Sequence, residues 1–189
     1  MGSETLKRLI KEQDIISDYK DIDIQITANG FDFRLAALIE VKKAGQLRID
    51  KSGAKRPELG TAYVLKGFEG HIKNIETEKT IILDEGTLIE LDDKKTYLAV
   101  TCEKVNTPEN TNFEIEPRSS LFRYCQCDIV TGFGEAGYRG LLTVLFKPTL
   151  PNAAIDIGVR FMQVSFNRLD SDAHYEDQKE NSYQGGNIL

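Results

Sequence analysis

Apolar and polar residues alternate along most of this chain, and the rhythm breaks at its two ends, in one polar loop and in one short internal segment. "FDFRLAALIEV", "QLRID", "TYLAVTCEKV", "NFEIEP", "CDIVTGF", "YRGLLTVLF" and "VRFMQVSFNRL" carry strand-like patterning, because successive side chains of a strand point to opposite faces. "IDIQIT" alternates too and predicts a strand. "TIILDEGTLIEL" predicts a hairpin turning at Asp84-Glu85-Gly86. The polar stretch "DKSGAKRPELG", Asp50 to Gly60, predicts a surface loop. Near the start the period becomes helical. Leu6, Leu9 and Ile10 share a face and Ser3 is a candidate N-cap, which predicts a helix over 3–13. A second short helix is predicted at "SSLFRYC". Many short strands and two short helices predict an all-β fold, a distorted β-barrel or jelly roll.

The alternation stops near residue 170. This predicts one β domain over 1–170 and an arm over 171–189, "SDAHYEDQKENSYQGGNIL". On composition alone the arm fits a flexible terminus. Tyr175 and Tyr183 stand out in it, because a mobile arm carrying aromatic rings can close over a ligand.

Composition narrows the function classes. The 189 residues include 40% hydrophobic and 29% charged residues, enough apolar material for one core. A net charge of -6 argues against a nucleic-acid polymer as partner, although a local arginine cluster can still hold a small anion. No apolar run approaches the roughly 20 residues of a membrane span. The N-terminus "MGSETLKRLIKEQD" has no apolar core, so no signal peptide is expected and the expected location is cytoplasmic. Cys102, Cys125 and Cys127 form neither a disulfide framework nor, with only His71 and His174 beside them, a zinc site. They read as free thiols.

Four segments carry chemistry. In "PRSSLFRYC", Ser119 or Ser120 at a helix start, with Arg118 before and Arg123 after, offers amide and guanidinium donors to an anion. A plain helix cap with a surface arginine explains the same letters. In "TGFGEAGYRG", a glycine-rich hairpin holds Glu135 and Tyr138. Its backbone can approach a flat base closely, and the carboxylate can orient or deprotonate water. A plain hairpin with an exposed acid is the alternative. In "GVRFMQVSF", alternation puts Phe161, Gln163 and Ser165 on one face, and Gln163 either meets a ligand or is a satisfied core amide. In "ITANGFDFRL", Asn29-Gly30 marks a turn and Asp32 lies inside an apolar strand. A strand-interior aspartate needs a partner, an arginine from elsewhere or a hydrated metal.

In chain order these segments resemble the motifs of the dUTPase and dCTP deaminase superfamily. The match runs from about Ile22 to Gly186, with Arg-Ser-Ser-Leu at 118–121 its most specific element, and "SYQGG" resembles the arm of the deaminase-like branch. The resemblance implies a dUTPase-like β-barrel subunit, a homotrimer with interfacial active sites, and Mg2+ as cofactor. It implies that Arg118, Ser119, Ser120, Arg123 and Gln163 hold a triphosphate. Asp32 would lie near the magnesium through water, and Glu135 would activate the attacking water. Phe133 and Gly134 would line the base site, Tyr138 would stack on deoxyribose, and Tyr175, Tyr183, Gln184 and Gly185 would belong to the closing arm.

Deaminases of the superfamily resemble one another in a Gly-x-x-Thr-Leu-Glu-Leu strand whose glutamate shuttles protons. Here "GLLTVLF" puts Leu145 at that position, and a leucine transfers no proton. The resemblance therefore implies an archaeal- or viral-type dUTP diphosphatase, releasing dUMP and pyrophosphate by attack at the α-phosphate. Two alternatives stand beside it: a catalytically weak nucleotide-binding or regulatory homologue, and a dCTP deaminase. The family usually has aspartate where this chain has Glu135.

Overall fold

A computed structural model of the chain describes residues 1–50, 53–175 and 183–189. Twelve strands and three α-helices are assigned among them: α1 (Ser3–Gln13), β1 (Ile16–Ser17), α2 (Ile22–Gln25), β2 (Phe31–Lys43), β3 (Glu58–Leu65), β4 (Lys79–Leu83), β5 (Leu88–Glu90), β6 (Thr96–Asn106), β7 (Thr111–Pro117), α3 (Ser119–Tyr124), β8 (Cys127–Val130), β9 (Phe133–Gly134), β10 (Arg139–Pro148), β11 (Ala154–Asp156) and β12 (Arg160–Arg168). The main sheet runs β8-β10-β6-β2-β12-β7-β9, with β1 added on β6, β3 on β2 and β4 on β3; β5 and β11 form a separate pair. Apart from β3–β4, every assigned pairing is antiparallel. The expected all-β, barrel-like fold with few short helices is what the chain forms.

β2 is the axis of the molecule. Phe31–Arg34 pair with β12, and Leu35–Val41 pair with β6. One strand thus passes from one half of the curled sheet into the other. All nine residues from Phe31 to Ile39 are buried, so this strand reads as an unbroken apolar run interrupted only by Asp32 and Arg34. Phe31, Phe33, Phe113, Phe146, Phe161 and Phe166 fill the main core and are essentially inaccessible. Each such ring contributes about 1.5–3 kcal/mol relative to an exposed one. A second, smaller core on the β2–β3 side contains Ala37, Ile39 and Val64, and Ile188 and Leu189 pack against it.

Several local readings are corrected. "IDIQIT" is mostly the short helix α2, because Asp21 accepts hydrogen bonds from the amides of Asp23 and Ile24 and caps it. The turn at Asp84–Gly86 joins no hairpin: β4 pairs in parallel with β3, and β5 pairs with β11. "QLRID" makes only the isolated bridge Gln46–Lys55. The N-cap of α1 is Gly2, not Ser3. Arg118 occupies the N-cap position of α3, and neither serine caps it with a side-chain bond. In β12 a register shift between Arg160 and Met162 breaks the alternation. Phe161 and Met162 are both buried as a result, while Gln163 and Ser165 stay partly exposed.

Candidate active site

Two clusters form from the residues singled out in the sequence. The first gathers where β2, β12 and the end of β7 meet. Asp32 and Gln163 sit opposite each other across the β2–β12 ladder. Arg118 follows Pro117, which pairs with Met162, and its amide donates to the Phe161 carbonyl at 3.1 Å. The Asp32 carboxylate, only 2% exposed, receives Arg118 Nε at 2.9 Å and Arg160 Nη1 at 3.3 Å. Arg118 Nη1 donates to the Arg160 carbonyl at 3.1 Å, and Arg160 Nη1 also reaches the Ile24 carbonyl at 2.7 Å. Arg118 is thus fixed at two points. Its Nη2 edge makes no hydrogen bond among the described residues, which leaves donors for an anion.

Burial pushes the Asp32 carboxyl above the ordinary aspartate range, against the opposing pull of Arg118 and Arg160. Gln163 is half-buried, and its Nε2 donates to Thr27 Oγ1 at 2.6 Å. Thr27 is brought there by the Asn29-Gly30 turn, which presses on β12 so closely that a Cβ at Gly30 would lie 2.5 Å from the Val164 carbonyl oxygen. Ser119 and Ser120 open the first turn of α3, where amides have no intrahelical acceptor. Arg123 is exposed and lies over the Phe122 ring.

The second cluster is built on the hairpin after β8. β9 pairs with β7, Gly134 opposite Phe113 and Phe133 opposite Glu114. A Cβ at Gly134 would collide with the Phe113 ring at 2.0 Å, so glycine is what lets the two chains close. Gly137 takes φ +81° and its amide donates to the Thr107 carbonyl at 3.1 Å. The Tyr138 hydroxyl donates to the Leu141 carbonyl at 2.6 Å. Burial, with the Tyr175 hydroxyl adding to it, pushes the Tyr138 phenol up to about 12. Glu135 is exposed. It lines a groove of about 380 Å³ together with Phe133, Tyr138, Leu145, Tyr175 and Tyr183, and it is the only carboxylate among the lining residues described.

The two ends of the arm rest on this hairpin. Tyr175 is buried and meets Tyr138 edge-on at 5.9 Å. Gln184 Oε1 accepts from the Arg139 amide at 2.9 Å, and its Nε2 donates to the Gly137 carbonyl at 3.1 Å. The Gly185 amide donates to the Arg139 carbonyl at 2.8 Å. Residues 176–182, the middle of the expected arm, lie outside the described residues.

The first cluster shares no residue with the groove. Along β7 the position opposite Gly134 and the residue Arg118 are five residues apart, about 17 Å of extended strand.

Among the described residues no three His, Cys, Asp or Glu side chains group to hold a metal, and Asp32 Oδ2 is already shared by two guanidinium groups. The donor set does not fit a metal cage. The cysteines are free thiols, as the sequence indicates; burial pushes Cys127 up to about 12.

Arg160 lies within "GVRFMQVSF", where the alternation gives it no role, and no sequence signal reveals the network behind Asp32. There Gln25, Arg34 and Glu103 form a buried hydrogen-bonded group.

The family model described as dCTP deaminase-like matches residues 1–169. A protein of Archaeoglobus fulgidus named probable deoxyuridine 5'-triphosphate nucleotidohydrolase is 27% identical over 140 residues, 74% of this chain and 70% of its own. One of the same name from Methanococcoides burtonii is 25% identical over 190 residues, 98% of this chain and 96% of its own. Among solved structures, a 2'-deoxycytidine 5'-triphosphate deaminase from Agrobacterium tumefaciens is similar with a TM-score of 0.59 and 18% identity. The match covers 88% of this chain but only 45% of that one, and at this identity it shows the fold alone.

Proposed function

The chain belongs to the dCTP deaminase-like family, and from that premise we propose that it is a dUTP diphosphatase, hydrolysing dUTP to dUMP and pyrophosphate. One observation carries the choice of hydrolysis over deamination. The groove holds a single carboxylate among its described lining residues, Glu135, and the apolar Leu145 stands where a deaminase needs a second proton-transferring group.

In this reading Arg118, with the amides of Ser119 and Ser120, holds the triphosphate, and Arg123 and Gln163 add donors. Glu135 takes a proton from water as the oxygen bonds to the α-phosphorus. The bond from that phosphorus to the bridging oxygen breaks, and pyrophosphate leaves with the electron pair. Arginine donors stabilise the charge that develops on it. Tyr138 presents its ring to the deoxyribose, because its hydroxyl is committed to Leu141.

The reacting atoms must come within about 3–3.5 Å, yet about 17 Å of strand separates the halves within one chain. This spacing supports a site shared between subunits, as the resemblance to homotrimeric relatives implies, with Glu135 of one copy facing Arg118 of the next. Among the described residues no group builds a magnesium cage; magnesium would be held by the triphosphate oxygens and would offset their charge.

A panel of dUTP, dCTP, dTTP and UTP with magnesium tests this, scoring pyrophosphate and ammonia. Pyrophosphate from dUTP and no ammonia from dCTP are expected. Glu135→Gln should lower the rate by about 10²–10⁴-fold; an unchanged rate sinks the assignment of the base. The extra methylene of Glu135 relative to the family's usual aspartate favours a second reading, a weakly active nucleotide binder. Tight binding of a nonhydrolysable dUTP analogue without dUTP turnover would select it.

A further inference from the structure

Behind the arginine cluster lies a buried charge that the proposed chemistry does not use. Glu103, on β6, is wholly inaccessible, and the residues around it satisfy its carboxylate. Oε1 accepts from Arg34 Nε at 2.7 Å and from Gln25 Nε2 at 2.8 Å, and Oε2 accepts from the backbone amide of Arg34 at 2.7 Å. The position of that amide is telling. Arg34 is the last residue of β2 paired with β12, and Leu35 is the first paired with β6. Where the strand changes partners its amide meets no neighbouring carbonyl, and the Glu103 carboxylate takes the place of one.

Gln25, 1% exposed, extends this junction toward the site. Its Oε1 accepts from the amides of Lys20 and Asp21 at 2.8 and 3.1 Å, and its Nε2 donates both to Glu103 and to the Asp32 carbonyl, the latter at 2.9 Å. Every hydrogen-bonding position of the amide is used, so it has one orientation. The neighbouring Ile24 carbonyl holds Arg160, which shares the Asp32 carboxylate with Arg118. The Asp32 carbonyl, through Gln25, and the Arg34 amide two residues on are therefore both tied to Glu103, and the Asp32 carboxylate in turn holds Arg118.

We propose that Glu103, acting through Gln25, is a positioning residue for Arg118: it fixes the Asp32 backbone so that the carboxylate holds the guanidinium with one edge free. This rests on reading Arg118 as a phosphate-holding residue, but its first test does not need that reading. A carboxylate that only stabilised the fold would leave the Arg118 ion pair intact in any variant that folds.

Gln25→Ala cuts the link and keeps both Arg34 donors to Glu103, and Glu103→Gln removes the charge; the first keeps the test available if the second does not fold. In the ligand-free protein the Arg118 side-chain Nε–H, identified by its loss in Arg118→Lys, is followed by NMR hydrogen exchange. Exchange at least about tenfold faster in Gln25→Ala than in the unaltered chain is expected. Unchanged exchange overturns the proposal. A second measurement compares binding of a nonhydrolysable dUTP analogue with that of deoxyuridine. Gln25→Ala should weaken the analogue about tenfold and leave the nucleoside unchanged, and equal losses for both would mean a merely structural role. If the unaltered chain binds no analogue, the proposed function fails, and the exchange ratio still decides the positioning.

Discussion

Asp32 combines two demands in one carboxyl group. It must be ionised to hold Arg118, yet burial raises its pKa above the ordinary aspartate value of 3.8. On acidification it takes up its proton earlier than a solvated aspartate. Phosphate-dependent affinity should therefore fall on the acid side with a midpoint above 3.8, and Asp32→Asn should abolish that limb; the pH profile of analogue binding checks this. Stability at this group runs the other way. The folded state holds the proton more tightly than the unfolded one, so the contribution is largest at low pH and is lost as pH rises through the folded pKa. His71 has the opposite sign. Burial lowers its pKa below 6.5, and its Nε2 lies 3.2 Å from the Cys102 carbonyl. The unfolded chain protonates first, so the His71 contribution is complete above pH 6.5 and is lost as pH falls through the folded pKa. Denaturant midpoints across pH 5 to 8 should flatten in His71→Gln. At this scale the sequence was legible where a residue broke its own pattern. An aspartate inside an apolar strand demanded a partner, an arginine or a hydrated metal, and the structure supplies two arginines. Glu103 was not legible, because in "TYLAVTCEKV" it reads as one more outward polar position. Its partners, Gln25 and Arg34, are 78 and 69 residues away.

The buried Arg34–Glu103 pair also joins two elements, since it ties β2 to β6 at the strand's change of partner. Removing one member leaves the other charge uncompensated. Glu103→Ala should cost about 3–5 kcal/mol in urea unfolding, whereas a surface pair such as Arg8–Glu12 should cost about 0.5 kcal/mol or less. The arm's attachment depends on a different close approach. Gly140 has φ +144°, and a Cβ there would lie 2.3 Å from the Gly186 amide nitrogen. Gly140→Ala should dislodge Gly185–Gly186 and make the arm's C-terminal end more sensitive to protease. The short elements are where the sequence reading erred. A four-residue helix has too few positions to display its period, so "IDIQIT" looked like a strand. The Asp84–Gly86 turn looked like a hairpin because local chemistry does not reveal that its two strands join different sheets.

On the scale of the whole molecule, the fold class was legible because alternation is enforced by burial on one face over a long stretch of chain. The order of the strands was not, since pairings such as β2 with β12 join residues over 120 positions apart. The candidate site was legible as a set of motifs but not as two places. Its separation within one chain gives a direct experiment. If the proposed dUTP hydrolysis takes place between subunits, Arg118→Ala and Glu135→Gln chains, each inactive alone, should regain part of that activity when mixed and allowed to exchange subunits, and no recovery would mean that each chain supplies a complete site. The edge-on contact between Tyr138 and Tyr175 has a practical consequence as well. The chain has seven tyrosines and no tryptophan, so its near-ultraviolet circular dichroism is free of indole bands. This pair couples the hairpin to the start of the arm in a fixed chiral geometry, so the molecule carries a built-in optical gauge of whether the arm is seated.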